Sequence, residues 1–195
     1  MQEEEFSFFD PSQPVGHLSG NLPHWRQEGA LYFVTFRLAD SIPQDKLGQW
    51  ELEKNQWLKR NPAPHTPEQL WEFWNLFPGR FHRWLDAGHG ACVLGSPAVK
   101  ELLNGVLRHF DGERYGLGAH VVMPNHVHAV VSPLPGFKLS AILHGWKSYS
   151  ANRINTLLGR AGTLWQKESF DHIVRGPDQL ERINAYIWNN PRRKK

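Results

Sequence analysis

The chain has 195 residues, 40% of them hydrophobic and 21% charged, with a formal net charge of +3; this composition fits one folded domain over 1–195 and excludes a disordered polypeptide. Its one cysteine, Cys92, rules out an intrachain disulfide and suits a reducing compartment. The start, MQEEEFSFFD, is acidic where a signal peptide is basic, and no run of about 18 apolar residues occurs, so the expectation is a cytoplasmic protein with no membrane partner.

Residues 1–23 hold five prolines and glycines without periodicity and read as an extended arm. Residues 30–38, ALYFVTFRL, are β-branched and aromatic and predict the first core strand. Helical patterns at 44–60 and 67–87 form an insertion, 43–88, whose Trp50, Trp57, Trp71, Trp74 and Trp84 repeat at helical spacing, as packing requires. Ser96-Pro97 opens an amphipathic helix reaching residue 110. Strands at 115–123 and 126–132 flank Pro124-Asn125, a tight-turn pair. A long helix at 138–158, a strand at 169–175 and a helix at 178–189 complete the chain. With the insertion set aside, the order is strand, helix, strand, strand, helix, strand. The expected fold is therefore α+β, a ferredoxin-like split βαβ core with an antiparallel four-stranded sheet, helices on one face and a helical insertion after the first strand.

His126 and His128 stand two apart on the second strand of that hairpin, so both imidazoles project from one face. Such a pair suits a divalent metal, Mg2+ or Mn2+ included when oxygen donors complete the shell. Charge is uneven: residues 138–195 carry 11 Lys+Arg against 4 Asp+Glu, and residues 1–137 carry 11 against 15. A basic segment beside a metal-type histidine pair points to a phosphate-rich partner. On the helix at 138–158, Tyr149 falls on the shoulder of the apolar stripe, where a phenol can keep its hydroxyl in a cleft; a phenolate can attack phosphorus to form a covalent intermediate.

Four blocks, PNHVH at 124–128, KSYSANRIN at 147–155, GTLWQKESFDHIVR at 162–175 and YIWNNP at 186–191, together resemble the single-strand tyrosine transposases of insertion sequences. Within them the chain is most similar to the branch associated with repetitive extragenic palindromes, the REP-associated tyrosine transposases. The resemblance implies a ferredoxin-like core, an HUH site with His126 and His128 as the metal pair, and Tyr149 as the nucleophile. It implies a metal-dependent endonuclease and strand transferase that cleaves and rejoins single-stranded DNA near palindromic hairpins through a 5′-phosphotyrosine. One chain would suffice, with a dimer as the alternative. Insertion-sequence relatives add a glutamine ligand one helical turn after the tyrosine; here that place holds Arg153, which has no lone pair for a cation. Asn152 is the preferred substitute, with Asn125, Glu168 and Asp171 as others. His120 and His172 read as structural or phosphate-contacting.

Lys147, Arg153, Arg160, Lys167, Arg175, Arg192 and Arg193 are the expected DNA-backbone contacts, the last two in a basic tail at 192–195. Two other functions fit the residues: a DNA-binding regulator without catalysis, and a metal-dependent phosphodiesterase in which water attacks.

Overall fold

The computed structural model describes residues 7–14, 16–18, 24–62 and 64–192, without the side chains at 16–18, 24, 25, 67, 70, 71, 74, 75, 78 and 192. Most of the predicted arm therefore lies outside the described residues, but its end is docked. The Leu31 N–H donates to the Ser7 carbonyl at 2.8 Å, and the Phe9 N–H to the Val174 carbonyl at 3.0 Å. A short antiparallel pair follows, β1 (Gly16–Leu18) with β2 (His24–Arg26), which residue patterning had not indicated.

Next come β3 (Tyr32–Arg37), α1 (Gln44–Arg60), α2 (Pro67–Leu76), α3 (Pro78–Asp86) and α4 (Pro97–Arg108). They lead into β4 (Tyr115–Val122), β5 (His126–Pro133), α5 (Leu139–Leu157), β6 (Phe170–Ile173) and α6 (Pro177–Asn189). The sheet order is β4-β5-β3-β6 with every neighbouring pair antiparallel, the split βαβ arrangement with α1 to α3 between β3 and α4. The helical pattern over 67–87 is two helices rather than one: Pro78 has no N–H to continue the first, and the chain turns at Phe77. None of the described helices is long and apolar enough to cross a membrane.

β3 is buried along its whole length, so both faces of the sheet must be covered. Tyr32, Val34 and Phe36 pack with Val127, Ala129 and Val131 of β5 against α4 and α5, the one-face arrangement expected for the two core helices. Phe33 and Val130 point the other way, and there α6 adds a second layer through Ile183 and Ile187. Period-two alternation thus puts His126 and His128 on the α6 side and Val127 on the α5 side.

The α4/α5 layer is locked by Trp146, whose Nε1–H donates to the Tyr115 hydroxyl at 2.9 Å while that hydroxyl donates to the Leu107 carbonyl at 2.8 Å. Trp146→Ala leaves a cavity and removes the bond that the Tyr115 hydroxyl accepts, an expected loss of about 3–5 kcal/mol, read as a lower midpoint in urea unfolding. The helices after β3 hold their own cluster, with Trp50, Trp57 and Phe77 buried against Phe73, Phe81 and Trp84. Core packing therefore accounts for Trp50, Trp57 and Trp84; the side chains of Trp71 and Trp74 lie outside the described residues. After α3 the chain is pinned to the core at Gly90. Its φ is +86°, a Cβ there would meet the Asp40 carbonyl oxygen at 2.5 Å, and the next N–H donates to the Asp40 carboxylate at 2.8 Å.

Candidate functional site

The turn at Pro124-Asn125 is closed by the Met123 N–H donating to the His126 carbonyl at 2.9 Å, and β5 leaves it with His126 and His128 wholly buried. The Asn125 amide nitrogen donates to the His89 carbonyl at 3.1 Å, so its Oδ1 faces His126 Nδ1 at 2.7 Å and accepts that proton. The lone pair of His126 therefore sits on Nε2. His128 Nδ1 lies 2.7 Å from the Thr35 hydroxyl on β3, which can donate or accept, and the two Nε2 atoms are 3.0 Å apart. When Thr35 donates, His128 Nε2–H bonds to His126. When Thr35 accepts, both Nε2 lone pairs converge on one point; the change of tautomer keeps the Thr35 bond and gives up the one between the imidazoles, which a cation bound by both lone pairs would replace.

Burial first, then repulsion from His82, pulls His126 down to about 3. Burial first, then His126 and His82, holds His128 well below its ordinary value. Both are neutral ligands at physiological pH. The Asp86 carboxylate on α3 comes within 3.7 Å of His126 Nε2. With His126 neutral this contact is no salt bridge; it leaves one negative charge beside two lone pairs, which a divalent cation satisfies. The ligand atoms of Asp86, His126 and His128 all lie within 4.8 Å of one another. Two nitrogens each ~2.1 Å from one ion and at right angles would stand ~3.0 Å apart, the separation observed here.

Tyr186 on α6 closes the cluster, its hydroxyl 3.2 Å from His128 Nε2 and its ring centroid 5.1 Å from that of His128. His82, one turn before Asp86 on α3, sets its ring 6.1 Å from the Tyr186 ring and 5.5 Å from the His128 ring; burial lowers it to about 4. Phe33 stacks on His128 at 5.3 Å and also meets His172, which burial first and His82 next lower to about 4. Asn190, one turn beyond Tyr186, is buried, and among the described residues neither atom of its amide has a hydrogen-bond partner.

These lowered histidines make a prediction about acid. Unfolded, each takes up a proton near pH 6.5; folded, each resists until a lower pH, so the unfolded chain binds more protons in between and stability falls as pH drops. Each of the four histidines that stays neutral should cost the metal-free protein about 2 kcal/mol between pH 7 and pH 5, so a loss of several kcal/mol is expected by urea unfolding at both values. A flat profile would mean that the cluster protonates at little cost.

Tyr149 is not part of this assembly. α5 packs on the opposite face of the sheet, and Tyr149 is 58% exposed there, lining an apolar groove with Val106, Phe137 and Arg153. Tyr149, the nucleophile that the resemblance implies, is thus on the other side of the sheet from the histidine pair: β5 turns Val127, not the histidines, toward α5. Asn152, likewise exposed on α5, shares a different groove with Lys147, Lys167 and Glu168. Lys147 donates to the Lys167 carbonyl at 2.7 Å, and burial above all lowers it to about 8. Asp171 is held by both terminal nitrogens of Arg26 at 2.5 and 3.0 Å on the same side, so it and Glu168 stand apart from the histidines. Arg160 and Arg175 are exposed after α5 and β6; the Arg192 side chain and Arg193 lie outside the described residues. His120, with Nδ1 3.1 Å from the Gly118 carbonyl, lines a groove that reaches His126.

Residue patterning missed Tyr186, Asn190, His82 and Asp86, yet signals were present. Tyr186 and Asn190 stand four apart on a helix, a tyrosine with an amide one turn later, as do His82 and Asp86, a spacing that puts two ligand types on one face.

Among known folds, the chain resembles a REP-associated tyrosine transposase solved bound to a REP hairpin, with 15% identity, 89% of this chain and 73% of that chain covered, and a TM-score of 0.49. It also resembles a protein of Deinococcus radiodurans R1 classed as a transposase, with 16% identity, 82% and 89% covered, and a TM-score of 0.40. No curated protein matches. Residues 95–190, which carry α4, the histidine hairpin, α5 and Tyr186 with Asn190, match the model of the IS200-like transposases, so the similarity to that family covers the hairpin and the helix that meets it.

Proposed function

We propose that this protein is a metal-dependent single-stranded DNA endonuclease and strand transferase whose nucleophile is Tyr186. The observation that carries the reading is the placement of the Tyr186 hydroxyl 3.2 Å from His128 Nε2, at the point where the two imidazoles converge. His126, His128 and Asp86 are the side chains to hold Mg2+ or Mn2+, and the Asn190 amide oxygen is the candidate for the ligand that Arg153 cannot supply. When bound, such an ion offsets the charge of a phosphodiester and favours in-line displacement.

The chain's own groups do the rest. α6 presents the Tyr186 hydroxyl from a helix fixed to the sheet through Ile183 and Ile187, so attack requires little reorganisation. The phenol loses its proton and Oη bonds to phosphorus. The bond to the 3′ oxygen breaks, that oxygen takes up a proton, and a 5′-phosphotyrosine remains. Attack on the ester by another 3′-hydroxyl frees Tyr186 and joins the strands without an external energy source. Every group comes from one chain, which supports action as a monomer. The four sequence blocks shared with the REP-associated branch support a hairpin-forming palindrome as substrate.

The test is incubation with a hairpin carrying single-stranded flanks, with Mg2+ or Mn2+, followed by denaturing electrophoresis. A protein-DNA adduct that survives denaturant and requires the metal is expected. Cleavage with no adduct would assign the attack to water, and binding with neither would leave a DNA-binding regulator.

A further inference from the structure

A concavity of about 1320 Å³ begins at His126 and Asp86 and runs past the edge strand β4 to the outer side of α4. Arg83, Lys100 and Arg108 line it against one carboxylate, Asp86. Among the described residues none of these three cations makes an ion pair. Lys100, Asn104 and Arg108 are spaced by four along α4, which sets them in a row about 12 Å long. That length suits three or four stacked nucleotides at ~3.4 Å each. Across the groove stands Trp188 on α6, 71% exposed. It contributes nothing to the core, because Leu180, Ile183 and Ile187 form the side of α6 that meets the sheet. Beside it, Asn184 offers an amide oxygen that is sealed from solvent and, among the described residues, accepts no hydrogen bond.

We propose that this groove carries the single-stranded segment next to the cleaved bond, with Lys100 and Arg108 on its phosphates and Trp188 stacked on one of its bases. The proposal rests on the DNA-cleaving reading above. It assigns the strand to a surface different from the Lys147, Arg153 and Lys167 side of α5. An unpaired cationic row opposite an exposed indole is the combination a single strand needs: charge for the backbone and a flat apolar surface that accepts any base. A duplex would keep its bases stacked inside and gain nothing from Trp188.

The experiment is fluorescence anisotropy in EDTA, so that binding is read apart from chemistry, with a labelled hairpin bearing a flank of about four nucleotides and the same hairpin blunt-ended. Wild type should bind the flanked DNA more tightly. Trp188→Ala should lose about tenfold for the flanked DNA and little for the blunt one. Lys100→Ala with Arg108→Ala should reduce the slope of log affinity against log salt by about 1.4, again for the flanked DNA only. All three positions are partly or fully exposed, and thermal melts check that the variants fold. Unchanged affinity and slope, or equal losses for both DNAs, would overturn the groove assignment while leaving the DNA-cleaving reading intact. If wild type bound neither DNA, that reading would fall, and this one with it.

Discussion

The Tyr186→Phe protein is expected to bind flanked hairpin DNA as wild type does and to form no denaturant-resistant adduct, a loss on the order of 10⁴-fold or more in attachment rate. Phenylalanine keeps the ring that faces Phe33, His82 and His128 and removes only the hydroxyl beside His128 Nε2, so folding should be preserved. Tyr149→Phe is the matched comparison. Its hydroxyl is on the far face of the sheet, and attachment should stay within about twofold of wild type, the range expected of an exposed change remote from the site. Mapping the attached nucleotide by digestion and mass spectrometry distinguishes the two tyrosines directly. Attachment that persisted in Tyr186→Phe and vanished in Tyr149→Phe would require α5 of another copy to reach the histidines, and the monomeric reading would be abandoned.

The second large effect concerns the metal and is measured without DNA. His128→Ala should lower Mn2+ affinity by more than ~100-fold, because loss of even the partners that orient a ligand costs 10–100-fold. Thr35→Val, which removes the hydroxyl that lets His128 switch tautomer, should fall in that smaller range. Asp86→Asn tests the contribution of α3: it keeps the shape, removes the only carboxylate of the cluster, and should weaken Mn2+ by at least tenfold. Titration calorimetry or the EPR signal of free Mn2+ reads all three. Unchanged affinity in His128→Ala would make the histidine pair structural, its burial then serving only to anchor β5 to β3 through Thr35.

Much of the scaffold could be read from residue pattern, because the signals are local. β-branched runs mark the strands, Pro124-Asn125 marks the turn, and two positions separated by one residue on a strand share a face whatever surrounds them, so His126 and His128 could be paired at once. The long-helix tyrosine was misplaced for an equally physical reason. A helical wheel says which residues share a side of α5 but not which face of the sheet α5 covers, and β5 is buried on both. The mismatch at Arg153 pointed elsewhere: an arginine cannot ligate, whereas Tyr186 is followed one turn later by Asn190, which can.

His82 and Asp86 show the limit more sharply. They lie roughly forty residues before the histidine pair, in helices that periodicity reads only as an insertion with its own tryptophan cluster. What brings them to the site is the break at Pro78, which redirects α3, and the close approach at Gly90, which pins the returning chain to Asp40.

By itself, then, the sequence determined the strand and helix order, the shared face of His126 and His128, and the kinship of its C-terminal half, all of which depend on neighbours a few residues apart. Which helix covers which face, and hence that Tyr186 rather than Tyr149 meets the histidines and that α3 brings Asp86 beside them, was decided by tertiary packing. The β3 strand carries aromatic residues on both sides, Tyr32 and Phe36 on one and Phe33 on the other, so its pattern accepts a helix on either, and only the closing of the whole chain selects one.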